Sequence, residues 1–106
     1  LPLVQRIAAA PDKPRPFALI LVPTRELAVQ VSHAVAKYGK PAGVRVVAVY
    51  GGAGFGEQVR TIRRGVDVIV ATPGRALDHI RRGTVSLKQV SAVVLDEADE
   101  MLDMGF

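Results

Sequence analysis

Near the end of the chain, Ala92-Val93-Val94-Leu95-Asp96-Glu97 carries two adjacent carboxylates at the close of an apolar, β-branched run. A strand that ends this way presents acidic oxygens together at one edge of a sheet. A hard cation such as Mg²⁺ takes carboxylate and water oxygens together with the phosphates of a nucleotide. In that chemistry Asp96 holds the ion through water, and Glu97 orients or deprotonates the water that attacks the terminal phosphate. The same residues also serve a plainer purpose, because acidic side chains are favourable in the first turn of a helix. On these residues alone both readings stay open.

Two further strings combine a hydroxyl with a guanidinium. In Pro23-Thr24-Arg25-Glu26-Leu27, Thr24 can cap a helix that Arg25 opens, where free amides and the positive end of the dipole attract phosphate. In Thr72-Pro73-Gly74-Arg75, the threonine offers a hydroxyl and Gly74 an unencumbered amide, while Pro73 and Gly74 shape a turn. Arg75 adds a planar guanidinium suited to phosphate. Gly51-Gly52 follows an apolar run and permits positive φ or close backbone approach. Each string is also an ordinary strand-to-helix turn.

The elements that must hold these residues alternate along the chain. Apolar runs at 17–22, 44–50, 66–71 and 91–95 predict four strands, the first buried on both faces. Helical spacing predicts helices over 24–38, 56–64 and 75–82, closed by Gly39, Gly65 and Gly83. Residues 1–10 read as the tail of a helix that the proline-rich 11–16 segment ends, and 97–102 as a helical turn. Such alternation predicts an α/β fold of βαβ units with right-handed crossovers and a parallel sheet. In open sheets of this kind ligands gather at the carboxyl ends of the strands, which is where every string above falls.

Composition narrows the classes. There is no cysteine among the 106 residues, which excludes disulfides and thiolate metal sites. The formal charge of +4 suits a polyanionic partner. No apolar run is long enough to span a membrane, so the expectation is a cytoplasmic protein with no membrane partner. His33 and His79 are read as solvated helix-surface residues rather than metal ligands, and Arg60, Arg63, Arg64, Arg81 and Arg82 as solvated helix faces. None of the phosphate-suited strings contains an aromatic residue on which a base could stack, so contact with a nucleic acid is expected at its backbone.

The string Asp96-Glu97-Ala98-Asp99 resembles the motif that names the DEAD-box RNA helicases, and 101–106 resembles its usual continuation. Pro23 to Leu27, continuing to Gln30, is similar to the family's first RNA-contacting motif. Gly51-Gly52, with Gln58 and Gly65, is similar to its double glycine. Thr72 to Arg75, with Asp78, is similar to its second RNA motif, with Ala76 in place of the usual leucine. All four stand in family order, and the likeness extends to bacterial members such as the heat-resistant RNA-dependent ATPase group.

The resemblance implies a partial RecA-like (P-loop NTPase type) three-layer fold. Residues 1–106 would be the segment of the first RecA-like domain between the phosphate loop and the Ser-Ala-Thr motif, lacking the P-loop strand and the strand after the DEAD motif. It implies ATP hydrolysis coupled to unwinding or remodelling of RNA, with ATP and Mg²⁺ as cofactors. By the same analogy Asp96, Glu97 and Asp99 are catalytic, with Asp96 on Mg²⁺ through water and Asp99 coupling to the second RecA-like domain. Pro23, Thr24, Arg25, Gly51, Gly52, Thr72, Pro73, Gly74 and Arg75 are then the RNA-binding residues. No Gly-Lys-Thr or Gly-Lys-Ser loop occurs in these residues, so alone they are expected neither to hydrolyse ATP nor to unwind RNA. Val93, Val94 and Leu95 are expected on an open sheet edge through which the chain self-associates. The competing readings are a stand-alone basic module that binds nucleic-acid backbone, and a DNA helicase of the same superfamily.

Overall fold

The computed structural model describes residues 2–96. Four strands form one parallel sheet: β1 (Ala18–Leu21), β2 (Val46–Val49), β3 (Val68–Ala71) and β4 (Ala92–Leu95), in the order β2-β3-β1-β4. The helices are α1 (Pro2–Ala8), α2 (Arg25–Gly39), α3 (Phe55–Arg64) and α4 (Pro73–Arg81). This is the expected α/β architecture, with each boundary within about two residues of the periodicity. Among the described residues no helix is long and apolar enough to cross a membrane.

The side-chain period of two divides the strands between two cores. Ala18, Ile20, Val22, Val68 and Val70 face α1 and α2, where they meet Val4, Ile7, Ala28 and Val35. Leu19, Leu21, Ile69 and Ala71 face the other way and pack on Ile62, Ala76 and Val85 beneath α3 and α4. The sheet is therefore the middle of three layers. That explains why β1 and β3 are buried at every position and read as unbroken apolar runs. At the opposite end, β4 lies on an edge and pairs with β1 alone among the described residues; Val93, Val94 and Leu95 are 40–53% exposed.

At the amino-terminal edge of the sheet an ion pair closes the layers. The Arg15 guanidinium donates to Asp67 Oδ1 at 2.7 Å, and Asp67 Oδ2 accepts from the Arg45 amide at 2.8 Å. Arg15 also donates to the carbonyls of Ala10 and Ile7, which anchors the segment after α1. All these groups lie at the end remote from the motif loops.

Candidate functional site

Register decides which loops meet. Leu21 is level with Ala71 and with Leu95, and Val49 is level with Ala71. The ladder then runs one step past the strands. The Asp96 amide donates to the Leu21 carbonyl at 2.9 Å, Val22 to Ala71 at 2.9 Å and Thr72 to Val49 at 3.1 Å. Four chain segments thus leave the sheet at one height, and Pro23-Thr24-Arg25, Gly51-Gly52, Thr72-to-Arg75 and Asp96 share the carboxyl edge. Glu97 and Asp99 lie outside the described residues.

Thr24 caps α2 as its position predicts. Its backbone is extended, and its hydroxyl oxygen accepts from the Leu27 amide at 3.1 Å. Arg25 opens the helix with an exposed side chain, and its 4.0 Å approach to Glu26 is too solvated to hold it. Gly52 has φ +85, a conformation glycine adopts without strain; a Cβ there would stand 3.7 Å from Arg25 Nη1. The guanidinium and the glycine turn therefore face each other across a cleft of about 510 Å³ lined by Arg25, Glu26, Val29, Tyr50, Gly52 and Ala53. Gly51 has no positive φ, so only the second glycine of the pair is demanded by backbone conformation.

α4 starts earlier than its periodicity suggests. Pro73 and Gly74 belong to its first turn instead of a preceding bend, with Thr72 as the N-cap. Proline suits the first helical position, where its missing amide would have had no partner. The Thr72 hydroxyl makes no capping bond, so it is left for another partner. Pro73 is buried beneath the turn and Gly74 is exposed.

The structure corrects the reading of His79. It is 1% exposed, not a surface residue, because positions 75, 79 and 82 form one stripe of α4 that turns toward α3. Its ring stacks on Phe55 with centroids 4.3 Å apart and planes 10° from parallel. Its Nε2 lies 2.9 Å from Gln58 Oε1. Gln58 Nε2 donates to the Tyr50 carbonyl at 3.1 Å, so the oxygen end of the amide must be the one facing His79. That assigns the imidazole proton to Nε2 and leaves Nδ1, buried and without a partner, as a bare acceptor. Burial, and then the Arg75 charge, hold the His79 pKa below its usual 6.5; Arg82 adds to the lowering and Asp78 opposes it.

Arg75 belongs to the same group. Its Nη1 donates to Gln58 Oε1 at 3.4 Å, and its guanidinium carbon lies 5.3 Å from the Phe55 centroid. Arg82 is exposed, as expected, and its guanidinium also lies over the same ring at 4.6 Å. Gln58 therefore ties three things together: the backbone just before the glycine pair, the stripe of α4, and the guanidinium of the fourth motif string. Sequence reasoning missed Phe55 and His79 as site components. The available signal was the i, i+4, i+7 spacing of Arg75, His79 and Arg82, with an aromatic opening the preceding helix.

A family model described as DEAD/DEAH box helicase matches residues 1–106. The chain is 50% identical over its whole length to the DEAD-box ATP-dependent RNA helicase CshA of Bacillus licheniformis, covering 21% of that protein. It is 52% identical, again over its whole length, to the ATP-dependent RNA helicase DeaD of Escherichia coli strain K12, covering 17%. Among solved structures, the yeast DEAD-box splicing factor Prp28 superposes with a TM-score of 0.85 at 36% identity, covering 99% of this chain and 26% of that one. A hypothetical ATP-dependent RNA helicase from Sulfolobus tokodaii superposes with a TM-score of 0.80 at 40% identity, over 85% of this chain and 27% of the other. The chain spans about a fifth of the length of these curated relatives. Motif order, parallel sheet and whole-length similarity agree: the chain belongs to the DEAD/DEAH box helicase family.

Proposed function

We propose that this chain is the RNA- and nucleotide-facing part of the first motor domain of an ATP-dependent RNA helicase, which grips RNA by its backbone. The observation that carries the reading is the shared carboxyl edge. The bonds Asp96 to Leu21, Val22 to Ala71 and Thr72 to Val49 bring the acidic strand end level with both hydroxyl-and-guanidinium loops. ATP binding close to Asp96 would then be felt by the loops that hold RNA.

The roles divide by chemistry. Thr24, Arg25, Gly52, Thr72 and Arg75 take phosphate and sugar, with Pro23, Gly51, Pro73 and Gly74 setting their backbone. Asp96 is half-buried and offers one carboxylate at the carboxyl edge of the sheet. That donor set fits Mg²⁺, which keeps several waters and takes one or two carboxylates plus substrate phosphates. When bound, the ion would neutralise charge developing on the phosphates. Glu97 and Asp99 take the water-activating and coupling roles, the latter toward a second RecA-like domain of the full protein. The apolar, exposed edge of β4 supports the expectation that the isolated chain self-associates.

The test is binding in the full-length protein. Arg25→Ala and Arg75→Ala should each weaken RNA affinity about equally for unrelated sequences. Each should also lower the slope of log affinity against log salt by about 0.7, the value for one phosphate of a single strand. Loss confined to particular sequences would refute backbone recognition. Stimulation of ATP turnover by DNA as strongly as by RNA would refute the RNA assignment.

A further inference from the structure

Arg82 stands outside every motif string, yet the structure draws it to the site. Its guanidinium carbon lies 4.6 Å from the Phe55 centroid, on the ring that Arg75 approaches at 5.3 Å. Two cations gathered on one aromatic repel each other. Neither has a carboxylate within ion-pair distance among the described residues, where such pairs involve Arg15, Arg25 and Arg60 only. Asp78, exposed on the same helix, bears on His79 but bonds to neither guanidinium. Phe55 compensates in part, through its ring quadrupole. Arg75 is half-buried and Arg82 exposed, so both guanidiniums lie over the ring within reach of solvent and of a ligand.

The arrangement has the form of a preorganised anion site. Arg75 lies in the first turn of α4 and Arg82 is its C-cap residue, yet both guanidiniums converge on one ring. The stripe between them is filled by His79, whose unpartnered Nδ1 and depressed pKa keep it neutral, so it adds no third charge. Gln58, bonded to the Tyr50 carbonyl, lies 3.4 Å from Arg75 Nη1 on the side of the glycine pair. A polyanion running from Thr72 along this face meets first one guanidinium and then the other, each held out on the same ring.

We propose that Arg82, held on Phe55 beside Arg75, is a further contact to an RNA backbone phosphate, extending the strand's path from the Thr72-to-Arg75 loop along the α3–α4 face. The proposal rests on the backbone-binding reading above. Its chemistry is that of a phosphate with no base readout, because the ring that might stack a base is already engaged by an imidazole and two guanidiniums.

The experiment compares Arg82→Ala, Arg82→Lys and Arg75→Ala in the full-length protein. It measures single-stranded RNA affinity between 50 and 200 mM salt, with melting temperatures recorded alongside. One phosphate at a slope of about 0.7 corresponds to about a 2.6-fold change in affinity over that fourfold salt range. Arg82→Ala should therefore lose about 2.6-fold less affinity on going from 50 to 200 mM than the parent does. Arg82→Lys should restore the parent slope, since a point charge on a phosphate suffices. A parent-like slope in Arg82→Ala overturns the proposal, whether or not the melting temperature falls, because a packing role on Phe55 would not change counterion release. If Arg75→Ala lowers the slope while Arg82→Ala does not, this inference fails and the backbone reading stands. If neither changes it, the backbone reading itself fails.

Discussion

Replacing Gln58 by methionine tests whether the α3–α4 contact is a bonded hub or mere packing. Methionine keeps length and volume but removes both polar atoms. The amide now donates to the Tyr50 carbonyl at 3.1 Å and accepts from His79 Nε2 at 2.9 Å and from Arg75 Nη1 at 3.4 Å. Gln58 and His79 are 6% and 1% exposed, so the imidazole N–H loses its partner where water cannot replace it. An unsatisfied buried donor costs about 1–3 kcal/mol. The Tyr50 carbonyl, on a half-buried residue, regains water in part, and the long Arg75 bond contributes little. The expected loss is about 2–3 kcal/mol of unfolding free energy. His79→Phe removes the donor itself and keeps a ring against Phe55, so it should cost less, about 1 kcal/mol. The double variant leaves neither group stranded and should be at least about 1 kcal/mol more stable than the sum of the singles implies. Urea unfolding of the full-length protein, followed by a probe in this domain and with an unchanged m-value, measures all three. Additivity within about 0.3 kcal/mol, or a Gln58→Met loss under about 0.5 kcal/mol, would refute the hub.

Three more outcomes follow from the structure. His79 has its folded pKa lowered below 6.5, so its contribution is complete above pH 6.5 and declines as pH falls from there toward the depressed folded value, because the unfolded chain takes up the proton first. Urea midpoints between pH 7.5 and 5.0 should fall more steeply for the parent than for His79→Phe, and parallel curves would count against it. An alanine Cβ at Gly39 would stand 2.9 Å from Val44 Cβ, so Gly39→Ala should cost about 1–3 kcal/mol without altering the RNA affinity of the folded protein. Gly52→Ala instead forces a side chain into φ +85 beside Arg25 and should weaken RNA binding together with a loss of about 1–2 kcal/mol. If the two glycine variants behave alike in RNA affinity, Gly52 has no part in RNA binding.

Much of this was legible in the chain because the relevant physics is local. Phe17 to Val22 reads as a doubly buried strand since both faces of β1 are covered, and unbroken apolarity is what such a strand requires. Thr24 reads as a cap because its hydroxyl needs only the amide three residues on. The errors lie where long-range packing decides. His79 sits among charged neighbours in sequence, and the i, i+4, i+7 spacing it shares with Arg75 and Arg82 marks a face without saying that this face turns onto Phe55 and Gln58. Arg82 is exposed, as two consecutive arginines at a helix end suggest, and only the α3–α4 contact places it over Phe55. The start of α4 was misplaced for a different reason, because Pro-Gly marks a turn more often than a first helical turn.

Phe55 also bears on why backbone recognition should hold. In the sequence no aromatic accompanies the phosphate-suited strings, which leaves no ring there on which a base could stack. The fold places one there after all, a few residues past the glycine pair and against Arg75. Yet that ring is spoken for: His79 stacks on it at 4.3 Å, and two guanidiniums lie over it. An aromatic used this way aims cations instead of reading bases. Cations aimed at phosphates position a strand and carry no sequence information. Backbone recognition is then a proposal argued from packing instead of composition. It depends on the occupancy of Phe55, and a variant that freed the ring, such as His79→Ala with Arg82→Ala, is where a preference among bases would first emerge.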